Sequence, residues 1–432
     1  MTSRTILPRL HNSAREYARK VALFSPNARY YLVFMVLNGA AFGIYRLLFN
    51  FYVLSLGYDE ALLGRLLTTV SLVQLVAALP AGYFSDRIGR KPSLMLAALA
   101  SVATLVGMVV WPTALGFYTM SVLMGLAQSL SAVTYGPFMM ENSEEEERTY
   151  LFALSSGMGM IAQFMGNWLG GQLPATIAGW LGVSATGSTA YGGALVVVAV
   201  LASTALVPIL LIRRQHKHGP QDGYLSPFAV ARSQPRMLFR LIMPMWVTSL
   251  GAGLLMPFMN IFYRHTYGSS DATIGALFAV GSLFMAIGLI IAPPLADRYG
   301  KMALVIVTQA LSIPFLFLLG FAPWFWMSAL AYLIRLALMN MSNPVYQAFV
   351  MEHAAPEARA TVASLVSMSW SFGWAFSPTL SGWLQVNYGF TPVYIGTLIS
   401  YIIAIYLYWR YFGLRPAQVA EPVNISTPGR SS

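Results

Sequence analysis

The chain has 432 residues, 57% of them hydrophobic and only 9% charged, with a mean hydropathy of +0.62. That composition excludes a set of soluble domains and points to a chain that crosses a membrane many times. A net charge of +11 invites a nucleic-acid reading, but the basic residues flank apolar runs instead of forming one surface, and the absence of cysteine removes disulfide, thiol and cysteine-metal chemistry.

Crossing a bilayer core of about 30 Å as a helix takes roughly 20 apolar residues. Runs of that length are predicted at 30–52, 61–84, 93–111, 114–138, 149–173, 190–212, 237–262, 272–296, 302–322, 324–350, 360–386 and 391–412. The first is too long for a signal-peptide core and lacks a following A-x-A-like site, so it is read as a retained helix. The connections around Pro112 and Pro323 are so short that their flanking helices must be antiparallel neighbours. Arg4, Arg9, Arg15, Arg19, Lys20 and Arg29 precede the first span, and Arg213, Arg214, Lys217, Arg232, Arg236 and Arg240 surround the central loop. The positive-inside rule therefore places both termini and that loop in the cytoplasm. The opposite loops hold few basic residues, with Arg264 as the exception, assigned to an interfacial position.

One offset organises the chain. Asp86 and Asp297, Arg87 and Arg298, Gly89 and Gly300, and Arg90 and Lys301 are all 211 positions apart. The same offset relates Gly64 to Gly275, Tyr135 to Tyr346, Glu141 to Glu352, Arg148 to Arg359 and Gly171 to Gly382. The chain thus reads as a basic N-terminal segment 1–29, a six-helix half 30–212, a linker 213–236, a second six-helix half 237–412 and a tail 413–432.

The stretch GYFSDRIGRK carries Gly82, Asp86, Arg87, Gly89, Arg90 and Lys91 in the pattern G-x-x-x-D-R-x-G-R-K. PPLADRYGK repeats it with Asp297, Arg298, Gly300 and Lys301, Pro293 standing for the leading glycine. The spacing E-x6-R occurs as Glu141 to Arg148 and again as Glu352 to Arg359. On these motifs the chain resembles the major facilitator superfamily of secondary transporters, over essentially its whole length. The resemblance implies an all-α fold of twelve transmembrane helices in two homologous bundles, and alternating access around a site at their interface. It also implies that the charges at the inner helix ends form a latch that holds the cytoplasmic side shut. For Glu144, Glu145 and Glu147 the plainer role of solvating a loop is expected, and Ser143 to Glu146 fits a capping box for the fifth helix.

The fifth helix carries Ala162, Gly166, Asn167, Gly170 and Gly171, and its counterpart carries Gly373, Ser377, Pro378, Ser381 and Gly382. Small residues four apart allow close helix packing. The spacing also resembles the G-x-x-x-G-P-x-x-G-G motif of drug-exporting antiporters in that superfamily, with Asn167 in place of the proline and Ala162 in place of the first glycine.

Ionisable residues deep in a bilayer are costly and usually functional. Arg335 falls near the middle of its span and Arg46 in the outer half of its own, with no acidic residue deep in any span. Either arginine is a candidate for binding an anionic or carbonyl-rich solute, or is satisfied by backbone carbonyls, Asn and Tyr. Asn340 and Tyr346 accompany Arg335, and Gln128, Tyr135, Gln163, Asn167, Trp370 and Trp374 are the other candidates for an amphiphilic pocket, with Asn38, Tyr45, Asn50 and Asn260 beside them. The lack of a deep carboxylate weighs against ordinary proton antiport and leaves anion exchange, facilitated diffusion and drug efflux open. Enzyme chemistry is not expected, because the five histidines lie in termini and loops without a nucleophile or metal-ligand cluster. The sequence therefore predicts a monomeric plasma-membrane transporter of a small organic solute, needing no cofactor or metal.

Overall fold

A backbone in hydrocarbon must satisfy its own N–H and C=O groups, which leaves the helix as the economical answer for every apolar run. The computed structural model describes residues 19–213, 235–353 and 359–413. Within them lie α1 (Pro26–Ser55), α2 (Glu60–Ile88), α3 (Arg90–Val110), α4 (Ala114–Glu141), α5 (Glu145–Leu181) and α6 (Ser188–Leu211). The second series is α7 (Pro235–Tyr267), α8 (Asp271–Tyr299), α9 (Lys301–Phe321), α10 (Phe325–His353), α11 (Arg359–Tyr388) and α12 (Thr391–Phe412). The twelve expected helices are all present. Most of the basic N-terminal segment, the linker and the tail lie outside the described residues.

Nine of the twelve are apolar and long enough to cross a bilayer by composition. The other three, α4, α5 and α11, carry Gln128, Gln163, Asn167 and the small-residue series singled out above. Most helices run past the hydropathy boundaries: α5 has 37 residues because Glu145–Arg148 and the segment after Gln172 stay helical beyond the apolar stretch. Two helices are interrupted where proline removes a donor. In α6 the break falls at Ala205, three residues before Pro208, and α7 tightens into a 3-10 turn at Met256–Phe258 around Pro257.

Caps fix the ends. Ser25 accepts from Ala28 N before Pro26, Asp59 accepts from Leu62 N, and Thr113 accepts from Gly116 N. Glu144, not Ser143, caps α5: Glu147 reaches back to the Glu144 N–H at 2.8 Å, while Ser143 donates to Met139 O. The expected capping box is thus displaced by one residue.

Each series builds its own apolar core beside the motif charges, with the same positions. Leu94, Met139 and Leu151 are 0% exposed in one, and Val305, Val350 and Val362, their partners at the 211-residue offset, are 0% exposed in the other. Two compact units nevertheless cut across the sequence halves. One joins 19–213 to Leu254–Ala286 and Ala375–Val393; the other comprises 235–253, Ile287–Trp374 and 394–413. The ends of α7, α8 and α11 remote from the motif charges therefore pack with α1–α6.

Candidate functional site

At the charged end, Gly89 and Gly300 are the single residues joining α2 to α3 and α8 to α9. Their φ angles of +95° and +90° exclude most side chains, which explains the glycine in both motif copies. The joint turns Arg90 back onto Asp86 at 2.5 Å and onto Glu141 of α4 at 2.9 Å, and its Nη1 donates to the buried Ser85 hydroxyl. Lys301 pairs with Glu352 in the corresponding place on α9 and α10. Lys91 donates to Leu210 O and Ile212 O, fixing the end of α6 to α3. Gly82 has open space around its Cβ direction, which accounts for the proline at its counterpart, Pro293. The E-x6-R residues do not pair with each other: Arg148 donates to Ser143 O at 3.1 Å, leaving Glu141 to Arg90. Arg87, Asp86, Asp297 and Arg298 are exposed, Arg298 lying 5.2 Å from the Tyr299 ring. The side chain of Arg359 lies outside the described set.

At the opposite end, residues from both sequence halves meet inside one compact unit. Asn50 of α1 donates to Asn260 Oδ1 at 2.8 Å and to Pro257 O at 2.7 Å, and Asn260 donates to Leu47 O at 2.8 Å. The break in α7 frees the Pro257 carbonyl for this use. Interhelical hydrogen bonds of this kind contribute about 0.6–2 kcal/mol each. Beside them, Arg264 forms an ion pair with Asp271, donates to Tyr191 Oη at 2.8 Å and lies 3.5 Å from the Phe51 ring centroid. Tyr191 in turn donates to Asp271 Oδ2 at 2.8 Å. His265 approaches Glu60 at 3.8 Å.

The glycine motif of α5 and α11 belongs to this same end. A methyl on Gly275 of α8 would overlap the carbonyl of Asn167, and one on Gly64 of α2 would overlap the carbonyl of Pro378. Asn167 and Pro378 are repeat partners, as are Gly64 and Gly275. Gly171 meets Gly275 in turn, while Gly382 abuts the Glu60 carbonyl. Thr379 adds a hydrogen bond to Thr68 at 2.8 Å. Further along α5, Gly166 packs on the Ala40 carbonyl and Gly43 of α1.

A cavity of about 280 Å³ opens among α1, α2, α3, α4 and α6, with Asn38, Tyr45, Gln74, Ser101, Gln128 and Ser131 as its polar lining. Of the predicted pocket residues, Asn38, Tyr45 and Gln128 lie on its wall. Tyr135 does not: its hydroxyl shares a 2.7 Å hydrogen bond with Ser155, and its ring stacks on Tyr31. Tyr346 is 2% exposed and donates to Leu241 O, a packing role matching that of Tyr135. Gln163 and Arg46 are exposed, Asn167 is half-buried, and Asn340 donates to Leu336 O of its own helix. Trp370 offers its carbonyl to Ser249, and the buried Trp374 Nε1 has no acceptor. Arg335 is 2% exposed and donates to Tyr401 Oη at 3.0 Å.

Sequence reasoning missed Gln74, Trp246, Tyr401 and the Tyr191–Arg264–Asp271 group. The one available signal was that Asp271 and Glu60 are repeat partners, both opening helices at this end. Among the described residues no three His, Asp or Glu side chains gather to hold a metal ion.

Residues 31–250 and 241–428 each match the family model of the Major Facilitator Superfamily. Multidrug resistance protein MdtG of Dickeya zeae (strain Ech586) is 23% identical over 421 residues, covering 90% of this chain and 94% of that protein. Tetracycline resistance protein, class C, of Escherichia coli is 25% identical over 302 residues, 66% of this chain and 70% of that one. The solved structure of a mutant of the nucleoside transporter NupG shares the fold at a TM-score of 0.74 and 14% identity, over 89% of this chain and 100% of that one. Two family matches in tandem, over two helix series that share core positions, a glycine joint and the ion pair Arg90–Glu141 or Lys301–Glu352, establish that the chain belongs to the Major Facilitator Superfamily and is a multi-pass secondary transporter.

Proposed function

We propose that the transporter exports amphiphilic small organic solutes by alternating access between the halves 30–212 and 237–412, from a cell membrane in which both termini face the cytoplasm. The observation that carries this reading is the cavity among α1–α4 and α6. Its wall sets the rings of Phe42 and Tyr45 beside the amides of Asn38, Gln74 and Gln128 and contains no ionised group. Such a wall binds by apolar area and a few neutral hydrogen bonds, which suits a solute with a large apolar body and scattered polar atoms. The names of the multidrug and tetracycline resistance relatives favour export as the direction. In this cycle the contacts of α1, α2, α5 and α6 with α7, α8 and α11 close the outer end. The motif charges Asp86, Arg90, Glu141, Lys301 and Glu352 then act at the cytoplasmic end as the latch of the opposite conformation.

Reconstitution into liposomes tests the reading. A panel of amphiphilic dyes should move faster than in protein-free liposomes, and Gln128→Leu should raise KM about fivefold through one lost hydrogen bond of about 1 kcal/mol. A protein that moves no member of the panel would sink it.

A further inference from the structure

Three buried side-chain donors in the compact unit of 235–253, Ile287–Trp374 and 394–413 lack an acceptor: Arg335 Nε on α10, Trp246 Nε1 on α7 and Trp374 Nε1 on α11. Arg335 is among the largest fully buried side chains, and none of the ion pairs among the described residues includes it. Its one hydrogen bond goes to Tyr401 Oη, and its guanidinium carbon lies 5.3 Å from that ring's centroid. A phenol and a ring face offset only part of the charge of a desolvated guanidinium. Its fork still has an unused N–H.

Residues 246–251 of α7 carry one of these donors and contact the segments next to the other two. Ser249 donates to Trp370 O and lies against Gly373, the residue before Trp374. Gly251 lies against the Tyr401 ring, and its carbonyl accepts from Thr397 at 3.1 Å. Trp246 is about one turn earlier on the same helix. Buried polar groups are rarely left orphaned, and in the compact unit of 235–253, Ile287–Trp374 and 394–413 the three orphans are donors and one of them belongs to an uncompensated cation. The complement of such a set is an acceptor with negative charge.

We infer that Arg335, Trp246 and Trp374 form, within their own compact unit, a binding site for the oxyanion group of a small organic solute, a carboxylate or phosphonate, with Arg335 offering Nε and its neighbouring N–H as a fork and the indoles adding one donor each. The inference rests on the amphiphile reading and narrows it to solutes carrying an anionic head. An anionic lipid head group has the same chemistry and is separated by the test.

The test uses the full chain in neutral phosphatidylcholine nanodiscs, with cyclohexylacetate and its uncharged amide as matched probes followed by calorimetry at pH 7. The acid should bind about tenfold more tightly than the amide, the scale of a charge-assisted fork. Arg335→Gln should level the two while leaving amide affinity within about threefold, since only the ionised contact is removed. Trp374→Phe keeps an aromatic ring, though a smaller one, removes the indole N–H and should shrink the preference, which keeps the inference testable if Arg335→Gln fails to fold. A wild type indifferent to the head group, including one that binds neither probe, overturns the subsite. So does a full preference retained in both variants, or acid binding abolished by phosphatidylglycerol while acid never displaces that lipid. Dye transport in proteoliposomes that persists beside a missing preference retires the subsite alone, whereas loss of all dye transport retires the amphiphile reading beneath it.

Discussion

The two ends of this transporter are held by different chemistry. At the charged end, Arg90 with Asp86 and Glu141, and Lys301 with Glu352, pair residues of the same half. At the opposite end, amides, glycines, a hydroxyl pair and the hydrogen bonds of Tyr191 to Arg264 and Asp271 join residues of different halves. Exposed ion pairs contribute about 0–1 kcal/mol each, so in this conformation the charged motif shapes its own helix turns. Contacts through backbone carbonyls admit almost no compromise, because no rotamer can move them aside.

The sharpest way to break this contrast is to fill a glycine seam. Gly275→Leu or Gly64→Leu should prevent closure of the outer end and lower transport more than about tenfold, as overpacking of a tight contact costs about 1–3 kcal/mol. Since the chain has no cysteine, single introduced cysteines near Asn50 would report the opening directly by labelling rate. Next, Asp271→Asn should favour the open end by on the order of 2 kcal/mol, because Arg264 keeps Tyr191 and Phe51 but loses its counter-charge. Unchanged labelling would show that the ion pair is incidental. A double-mutant cycle of Asn50→Leu and Asn260→Leu should give a coupling of about 0.6–2 kcal/mol for the amide pair. At the charged end, Glu141→Gln should alter the same labelling by no more than the 0–1 kcal/mol of an exposed pair.

The smallest expected effect is at Lys20 and Glu146. The hydrogen bond and charge of Lys20 hold the exposed Glu146 carboxyl below its usual range. Because the folded value is the lower one, the stabilisation is complete above the unfolded carboxylate pKa and fades as pH falls through the folded value. A melting curve should therefore be insensitive to Glu146→Gln in acid and only slightly lowered at neutral pH.

Twelve spans, the repeat and the glycine joints were legible because each leaves a local mark: an apolar run, a fixed offset, a positive φ. The outer contacts were not. Arg264 looked interfacial because hydropathy measures distance from water, whereas its partner Tyr191 lies 73 residues away on α6 and Asp271 opens the next helix. Asn50 and Asn260 were visible as polar residues in apolar spans, yet nothing local says that they bond to each other instead of to a solute. Tyr135 and Tyr346 misled for a related reason. Their repeat partnership marks a shared position in two cores, and a shared core position says nothing about a ligand.

The seam at Asn167 and Pro378 has one more consequence. It is the main-chain oxygen at each position that meets the facing glycine, so the side chain there is a matter of indifference to the joint, and asparagine serves as well as proline. Asn167 departs from the motif in its side chain but not in this contact, whose demanding members are the facing glycines, Gly64 and Gly275.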